Sequence, residues 1–255
     1  MSSGAESRGE ARGARLAAEA DAEAAARRRQ RLSLLGGALL FAAIVVGALV
    51  LISQADDSAS DRSASDVQAL FEGIPQDGIA LGEPDAPVTL VEFADPQCPF
   101  CAGFTEDVLP SVVEDYVRAG ELRMELQLLT FIGPDSATIA GGAYAAGGQD
   151  EVWQFADLAF ARQEAENSGY GDQAFVEAIA ADLDLDADEV VSASASPEVQ
   201  DLLDGARKLA EAQQVSSTPS FLIGPTGGEL TPLDVDSTDE ASFAAAIDDA
   251  LSAAG

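Results

Sequence analysis

The chain of 255 residues contains no histidine and only one lysine, Lys208. Without imidazole, no Ser–His or Cys–His catalytic pair and no histidine-ligated metal can be built. Cysteine is nearly absent too, with Cys98 and Cys101 as the whole supply. Aromatics make up 6% of a chain that is 47% hydrophobic, the profile of an alanine- and valine-rich globular protein and not of a collagenous or wholly disordered one. Cationic charge is scarce: 13 Lys and Arg face 45 Asp and Glu, for a net charge of −32. Residues 1–31 hold seven of the arginines and a net +2, which leaves −34 on the remainder. So acidic a domain repels phosphate backbones and excludes nucleic acid as a partner. Two readings of the acidity stay open, a solvated surface that keeps the protein soluble and monomeric, and adaptation to high salt, where cations screen the self-repulsion.

Residues 32–53, LSLLGGALLFAAIVVGALVLIS, carry no charge. As a helix they reach about 30 Å, enough to cross a bilayer. Arg27, Arg28, Arg29 and Arg31 precede the run and Asp56, Asp57 and Asp61 follow it. The positive-inside rule therefore expects a cytoplasmic tail at 1–31, a single transmembrane anchor at 32–53 and an extracytoplasmic remainder. A cleavable signal peptide is the competing reading, since Ser53, Gln54 and Ala55 offer a small-x-small site, but the run is longer than a usual h-region. The serine- and aspartate-rich stretch that follows is too polar to bury a core, so a flexible linker is expected over 54–72.

A domain is then expected over 73–255. Residues 87–94 (PVTLVEFA) read as a largely buried strand, broken at Asp95 and Pro96. A helix is expected from Cys98 to about Arg118, with Pro110 as a kink and Gly120 as a stop, then a second strand over 122–131. From 136 to about 195 the pattern turns helical, with Trp153, Phe155, Leu158 and Phe160 in one segment. Ser196 and Pro197 look like a helix start that runs to about 213. Strand signals return at 220–223 and 229–233 around a glycine-rich turn, before a last helix from about 240. This is an α/β class with a helical insertion at about 135–212.

The two cysteines stand three apart, as Cys98-Pro99-Phe100-Cys101, at the expected start of a helix that follows a buried strand. Free amides at a helix N-terminus favour a thiolate on Cys98 and lower its pKa from about 8.5, while Cys101, one turn on, can resolve a mixed disulfide. A purely structural disulfide in so small a loop contributes only about 2 kcal/mol and braces a single turn. Zinc normally takes four Cys or His ligands, and two are present. A coincidental CxxC is the remaining alternative, and the strand-break-helix context weighs against it.

The run VEFADPQCPFC, the helical block around Trp153, and VSSTPSFLIG at 215–224 resemble, in order, the DsbA-like branch of the thioredoxin superfamily. The resemblance implies a thioredoxin fold with an inserted helical domain, preceded here by the anchor, and a thiol–disulfide oxidoreductase that oxidises unfolded secreted or membrane proteins through Cys98 and Cys101. It implies no cofactor and no metal. It also implies a quinone-linked membrane partner, DsbB-type or vitamin K epoxide reductase-like, that restores the disulfide. Thr218 and Pro219 would form a cis-proline loop beside the cysteines and, with Pro99 and Phe100, bind the client peptide. Sequence alone makes Pro219 a turn or edge proline, because cis bonds are a small minority of X–Pro bonds. Glu92 occupies the place of a buried carboxylate that serves some relatives as a proton acceptor; its own sequence context reads equally as an outward-facing strand position. Phe100 departs from the well-known oxidases, which carry histidine there, so Cys98 is expected to be less acidic than in DsbA and the pair a milder oxidant. A disulfide reductase or isomerase, or a non-catalytic peptide-binding module, are the rival functions.

Overall fold

The computed structural model describes residues 62–254. The expected tail, the anchor at 32–53 and the start of the linker lie outside the described residues. Among the described residues, no helix is long and apolar enough to cross a membrane.

Ser63 starts helix α1 (Ala64–Phe71) through a capping box: its hydroxyl accepts from the Asp66 amide, and the Asp66 carboxylate accepts from the Ser63 amide. Val67, Leu70 and Phe71 are buried on its inner face. From Ser63 onward this corrects the linker expected over 54–72; residues 54–61 lie outside the described residues. The polar residues that suggested a tether include a helix cap, and the apolar residues that hold the helix down come one turn later. The hairpin of β1 (Gln76–Asp77) and β2 (Ala80–Leu81) follows, which composition did not reveal either.

Strand β3 (Val88–Ala94) leads into α2 (Pro99–Asp107) and α3 (Leu109–Val112), and the chain continues through a π turn at Val113–Val117. Pro110 sits in the first turn of α3, so the helix restarts there where a kink was expected. Gly120, at φ 73°, ends the run in a conformation that suits glycine. Strand β4 (Leu122–Leu128) then pairs parallel with β3.

Five helices separate β4 from the rest of the sheet: α4 (Pro134–Ala146), α5 (Val152–Ala161), α6 (Gln173–Asp182), α7 (Ala187–Ala193) and α8 (Pro197–Ala212). Asp172, Asp186 and Ser196 each cap one of them by accepting a main-chain amide three residues on. Strands β5 (Ser220–Pro225) and β6 (Thr231–Leu233) and helix α9 (Glu240–Ala254) complete the described chain. The expected strand at 229–233 is thus shorter than its pattern suggested.

The sheet runs in the order β1-β2-β4-β3-β5-β6, which puts β3 in the interior. Val88, Leu90 and Ala94 of β3 enter the main core, while Val91 and Phe93 pack with Leu222 and with Ala206 and Ala210 of α8 on the other face. Burial on both faces explains why β3 is apolar but for Thr89 and Glu92. Because side chains alternate along a strand, Glu92 shares the face of Leu90 and Ala94 and points into the main core. The outward-facing reading of Glu92 is therefore corrected.

Phe104 of α2 anchors the helix: its ring centroid lies 4.8 Å from Phe221 of β5 and 5.1 Å from Phe243 of α9. Phe104→Ala should lower unfolding stability by about 3–5 kcal/mol. Denaturant unfolding followed by circular dichroism checks this, and a loss below about 1 kcal/mol would contradict the anchoring role.

Candidate active site

Where β3 ends, the Cys98 amide donates to the Asp95 carbonyl at 2.8 Å, turning the chain toward α2. Cys98 is the N-cap of that helix and Pro99 fills its first position, where the missing N–H costs nothing. The Cys98 carbonyl accepts from the amides of Cys101 and Ala102, so both cysteines belong to one helical turn. Cys98 is 4% exposed and Cys101 fully buried, so of the two sulfurs Cys98 lies toward the surface. Phe100 between them is 67% exposed.

The cis Thr218–Pro219 bond meets this turn from the strand side, and the Cys98 thiol donates to the Thr218 carbonyl at 3.3 Å. The structure thereby brings together Cys98, Cys101, Pro99, Phe100, Thr218 and Pro219. Glu92 lies beneath them, close enough for its charge to act on both sulfurs.

These positions set the protonation states. The Cys98 thiol is brought down to about 6, first by the Cys101 thiol donating to its sulfur, then by the Thr218 side chain and the amides of Cys101 and Phe100, against the opposing effect of burial. The Thr218 carbonyl favours the thiol and so works against these donors. A value of about 6 lies well above the roughly 3.5 of DsbA. Burial pushes Cys101 well above its ordinary value, and the neighbouring Cys98 and Glu92 add to the shift. Glu92 rises to about 8, chiefly because it is desolvated and then because Asp157 and Cys98 face it. At neutral pH it is mostly a neutral acid.

Several side chains that sequence reasoning missed hold the loop in place. Gln163, just beyond α5, donates from Nε2 to the carbonyls of Pro96 at 2.8 Å and Cys98 at 3.1 Å. The Asp95 carboxylate accepts from the amides of Gln97 and Ile132 and from the Ser136 hydroxyl. Gln97 in turn donates to Ser136 and accepts from the Asn167 amide. The helical insertion thus grips the cysteine loop by hydrogen bonds whose partners lie 39 to 70 residues away in the chain. Only the break at Asp95 and Pro96 hinted at this, as glutamines in loops carry no sequence signal.

A sheet of this order, a helix begun by a CxxC and a cis-proline loop opposite it define a thioredoxin-type redox domain. The family model described as Thioredoxin matches residues 75–249, and the chain belongs to that family. The chain is 33% identical over 125 residues to the probable disulfide bond formation protein D of Bacillus anthracis, across 48% of this chain and 53% of that one. It therefore spans about half the length of that relative. The oxidised crystal structure of BdbD from Bacillus subtilis matches with a TM-score of 0.61 at 20% identity, over 69% of this chain and 93% of that one. Wolbachia pipientis alpha-DsbA1 matches with a TM-score of 0.59 at 19% identity, over 72% and 93%. At those identities the likeness is one of fold.

Thiolate absorbance of the reduced protein should rise with a midpoint near 6 and vanish in Cys98→Ser; a midpoint at the ordinary value of about 8.5 would refute the electrostatic account. Glu92 makes a second prediction. Its folded value of about 8 exceeds the ordinary 4.5, so its contribution to stability is complete below pH 4.5 and is lost as pH rises through 8. Glu92→Gln cannot ionise, so it should resist denaturant better than wild type at about pH 9 and lose that advantage in acid. Equal pH dependence in the two proteins would count against a buried Glu92.

Proposed function

We propose that this chain is a protein thiol–disulfide oxidoreductase that forms disulfides in secreted or membrane proteins, anchored by residues 32–53 with residues 62–254 outside the cytoplasm. The observation that carries the reading is the asymmetry of the cysteine pair. Cys98 caps a helix and favours its thiolate, while Cys101 is buried and favours its thiol. The name of the Bacillus anthracis relative, a probable disulfide bond formation protein, supports the direction.

In the proposed reaction the protein begins with Cys98 and Cys101 joined. A client thiolate attacks the Cys98 sulfur, a bond between client and Cys98 forms, and the bond between Cys98 and Cys101 breaks with its electron pair left on Cys101. That buried thiolate takes a proton from Glu92, whose carboxyl is neutral near pH 7. A second client thiolate then attacks the client sulfur of the mixed disulfide and expels Cys98, the better leaving group because its thiolate is stabilised. The client gains a disulfide and the protein keeps two electrons as a dithiol. A quinone-linked membrane protein, DsbB-type or vitamin K epoxide reductase-like, would remove them. Exposed Phe100, next to the Cys98 whose thiol meets the Thr218 carbonyl, supports binding of an extended client segment there. With Cys98 near 6, the pair is a milder oxidant than DsbA.

The oxidised full chain should convert a reduced two-cysteine peptide to its disulfide, one peptide per protein without reoxidation, as read by mass spectrometry. Cys98→Ser should abolish the conversion; Cys101→Ala, which has no disulfide to give, should leave the reduced peptide untouched but form a lasting mixed disulfide through Cys98 when mixed with the oxidised peptide, releasing one peptide thiol. Wild-type protein that leaves the peptide thiols untouched would sink the assignment. For the anchor, the protein should stay in the membrane pellet after alkaline extraction and be digested by protease added outside intact spheroplasts; recovery in the soluble fraction, or protection from the protease, would reverse that placement.

A further inference from the structure

Beside Glu92 the core holds a second carboxylate that the reaction above does not use. Asp157 projects from α5 and is 2% exposed. Its partner is Arg62, just ahead of α1, whose Nη1 donates to both Asp157 oxygens at 3.0 Å and to the Thr105 carbonyl of α2 at 2.8 Å. The Arg62 side chain is 16% exposed, so this ion pair reaches from the core to the rim.

Glu92 and Asp157 line one small cavity whose other walls include Leu109, Leu126, Trp153 and Phe160. The space open to the centre of a water-sized sphere is about 10 Å³, the room for roughly one water molecule. Among the described residues, Glu92 Oε1 has no hydrogen-bond partner. An unpaired buried carboxyl oxygen is costly to keep, and its residue lines the same cavity as Asp157.

We propose that Asp157, held by Arg62, is a positioning residue for Glu92 and the second stop on a proton path that joins Cys101 to solvent through this cavity. The proposal rests on the oxidoreductase reading above. When Cys101 leaves as a thiolate, the Glu92 carboxyl gives it a proton and becomes a carboxylate. Glu92 is reloaded across the cavity from Asp157, which regains its proton from water at the Arg62 rim. Each transfer moves one proton and leaves one carboxylate behind, and no electron moves with it.

The order of proton affinities suits this direction. Cys101 stands highest, Glu92 follows at about 8, and Asp157 lies at about 7, where burial outweighs the pull of Arg62. A proton entering at the rim therefore moves toward tighter binding at each step. The charged or titratable groups that face Glu92 are Asp157 of α5 and Cys98 and Cys101 at the start of α2, with Arg62 behind Asp157. The neighbouring strands pair Leu126 of β4 and Phe221 of β5 with Glu92, and α3 contributes Leu109, all apolar.

The test reads the same transfer in reverse. The reduced full chain in detergent is mixed with excess glutathione disulfide: a first phase reports attack by Cys98, and a second, concentration-independent phase reports Cys101 resolving the mixed disulfide. In wild type the second rate should rise with pH around a midpoint near 8, as Glu92 becomes able to accept the Cys101 proton. Asp157→Asn removes the negative charge that raises Glu92, so the midpoint should fall by about 1 unit. Because that variant strands Arg62 without its partner, the double variant Arg62→Met, Asp157→Leu replaces the ion pair with apolar volume and should show the same fall. A structural ion pair alone would change the melting temperature and leave the midpoint in place. A wild-type midpoint in both variants overturns the proposal, whereas wild-type protein that gives neither phase overturns the oxidoreductase reading itself.

Discussion

The chemistry of this domain depends on one junction, where a strand buried on both faces ends and a helix begins on a cysteine. Helix α2 starts at Cys98 because Pro99 can occupy its first position and because the Asp95 carbonyl, at the end of β3, takes the Cys98 amide. The free amides of the first turn then point at sulfur where a serine or aspartate oxygen would ordinarily cap them. Everything that keeps β3 and α2 in register, from Phe104 packed against the touching rings of Phe221 and Phe243 to Gln163 gripping the Cys98 carbonyl, also keeps that sulfur acidic. Stability and reactivity therefore share the same contacts. The helical insertion serves the site as well as standing beside it, since α5 supplies Trp153 and Asp157 and leads directly to Gln163.

Much of this was legible in the residues. The apolar run of β3, the CPFC that follows a proline break, the helical block and the capped start of α8 each carry a local signal, and each element lies where its signal put it. Helix α1 was not legible, because its capping residues, Ser63 and Asp66, are the same residue types that make a tether. The composition of a short window cannot separate the two; only the docking of Val67, Leu70 and Phe71 does. Glu92 was ambiguous for a different reason. In a strand covered on both sides the alternation of apolar and polar residues disappears, so a single acid gives no indication of which face it takes. The cis bond at Thr218–Pro219 ran against the base rate for X–Pro bonds and was expected only from the resemblance. The hydrogen-bond network of Asp95, Gln97 and Gln163 leaves no trace in periodicity, since its partners meet only through the fold.

The scarcity of positive charge sharpens the meaning of one contact. Between residues 62 and 254 the chain has six basic side chains, and Arg118, Arg162 and Arg207 make exposed ion pairs of the kind that contribute little. Arg62 is turned inward on Asp157. Burying an ion pair usually costs about as much desolvation energy as the attraction returns, so its presence is weak evidence for stability and better evidence for a specific local charge. Here the charge lies across a one-water cavity from Glu92, in a domain that has ample carboxylates at its surface and little need of another inside.

The missing histidine gives this arrangement its logic. Imidazole is the side chain whose ordinary pKa lies near neutrality, and a thiol–disulfide reaction at a buried sulfur needs a proton donor in that range. Without it, the fold reaches the same range by desolvating carboxylic acids, raising Asp157 to about 7 and Glu92 to about 8 in one apolar pocket. Separation of routes follows from the geometry. In the proposed reaction electrons would exchange at Cys98, the more exposed sulfur, while protons would reach Cys101 through a core lined by leucine and aromatic side chains. The exposed ring of Phe100 then stands free for client contact, because the ionisation work that histidine performs between the cysteines of the well-known oxidases is carried by groups on the other side of the sulfurs.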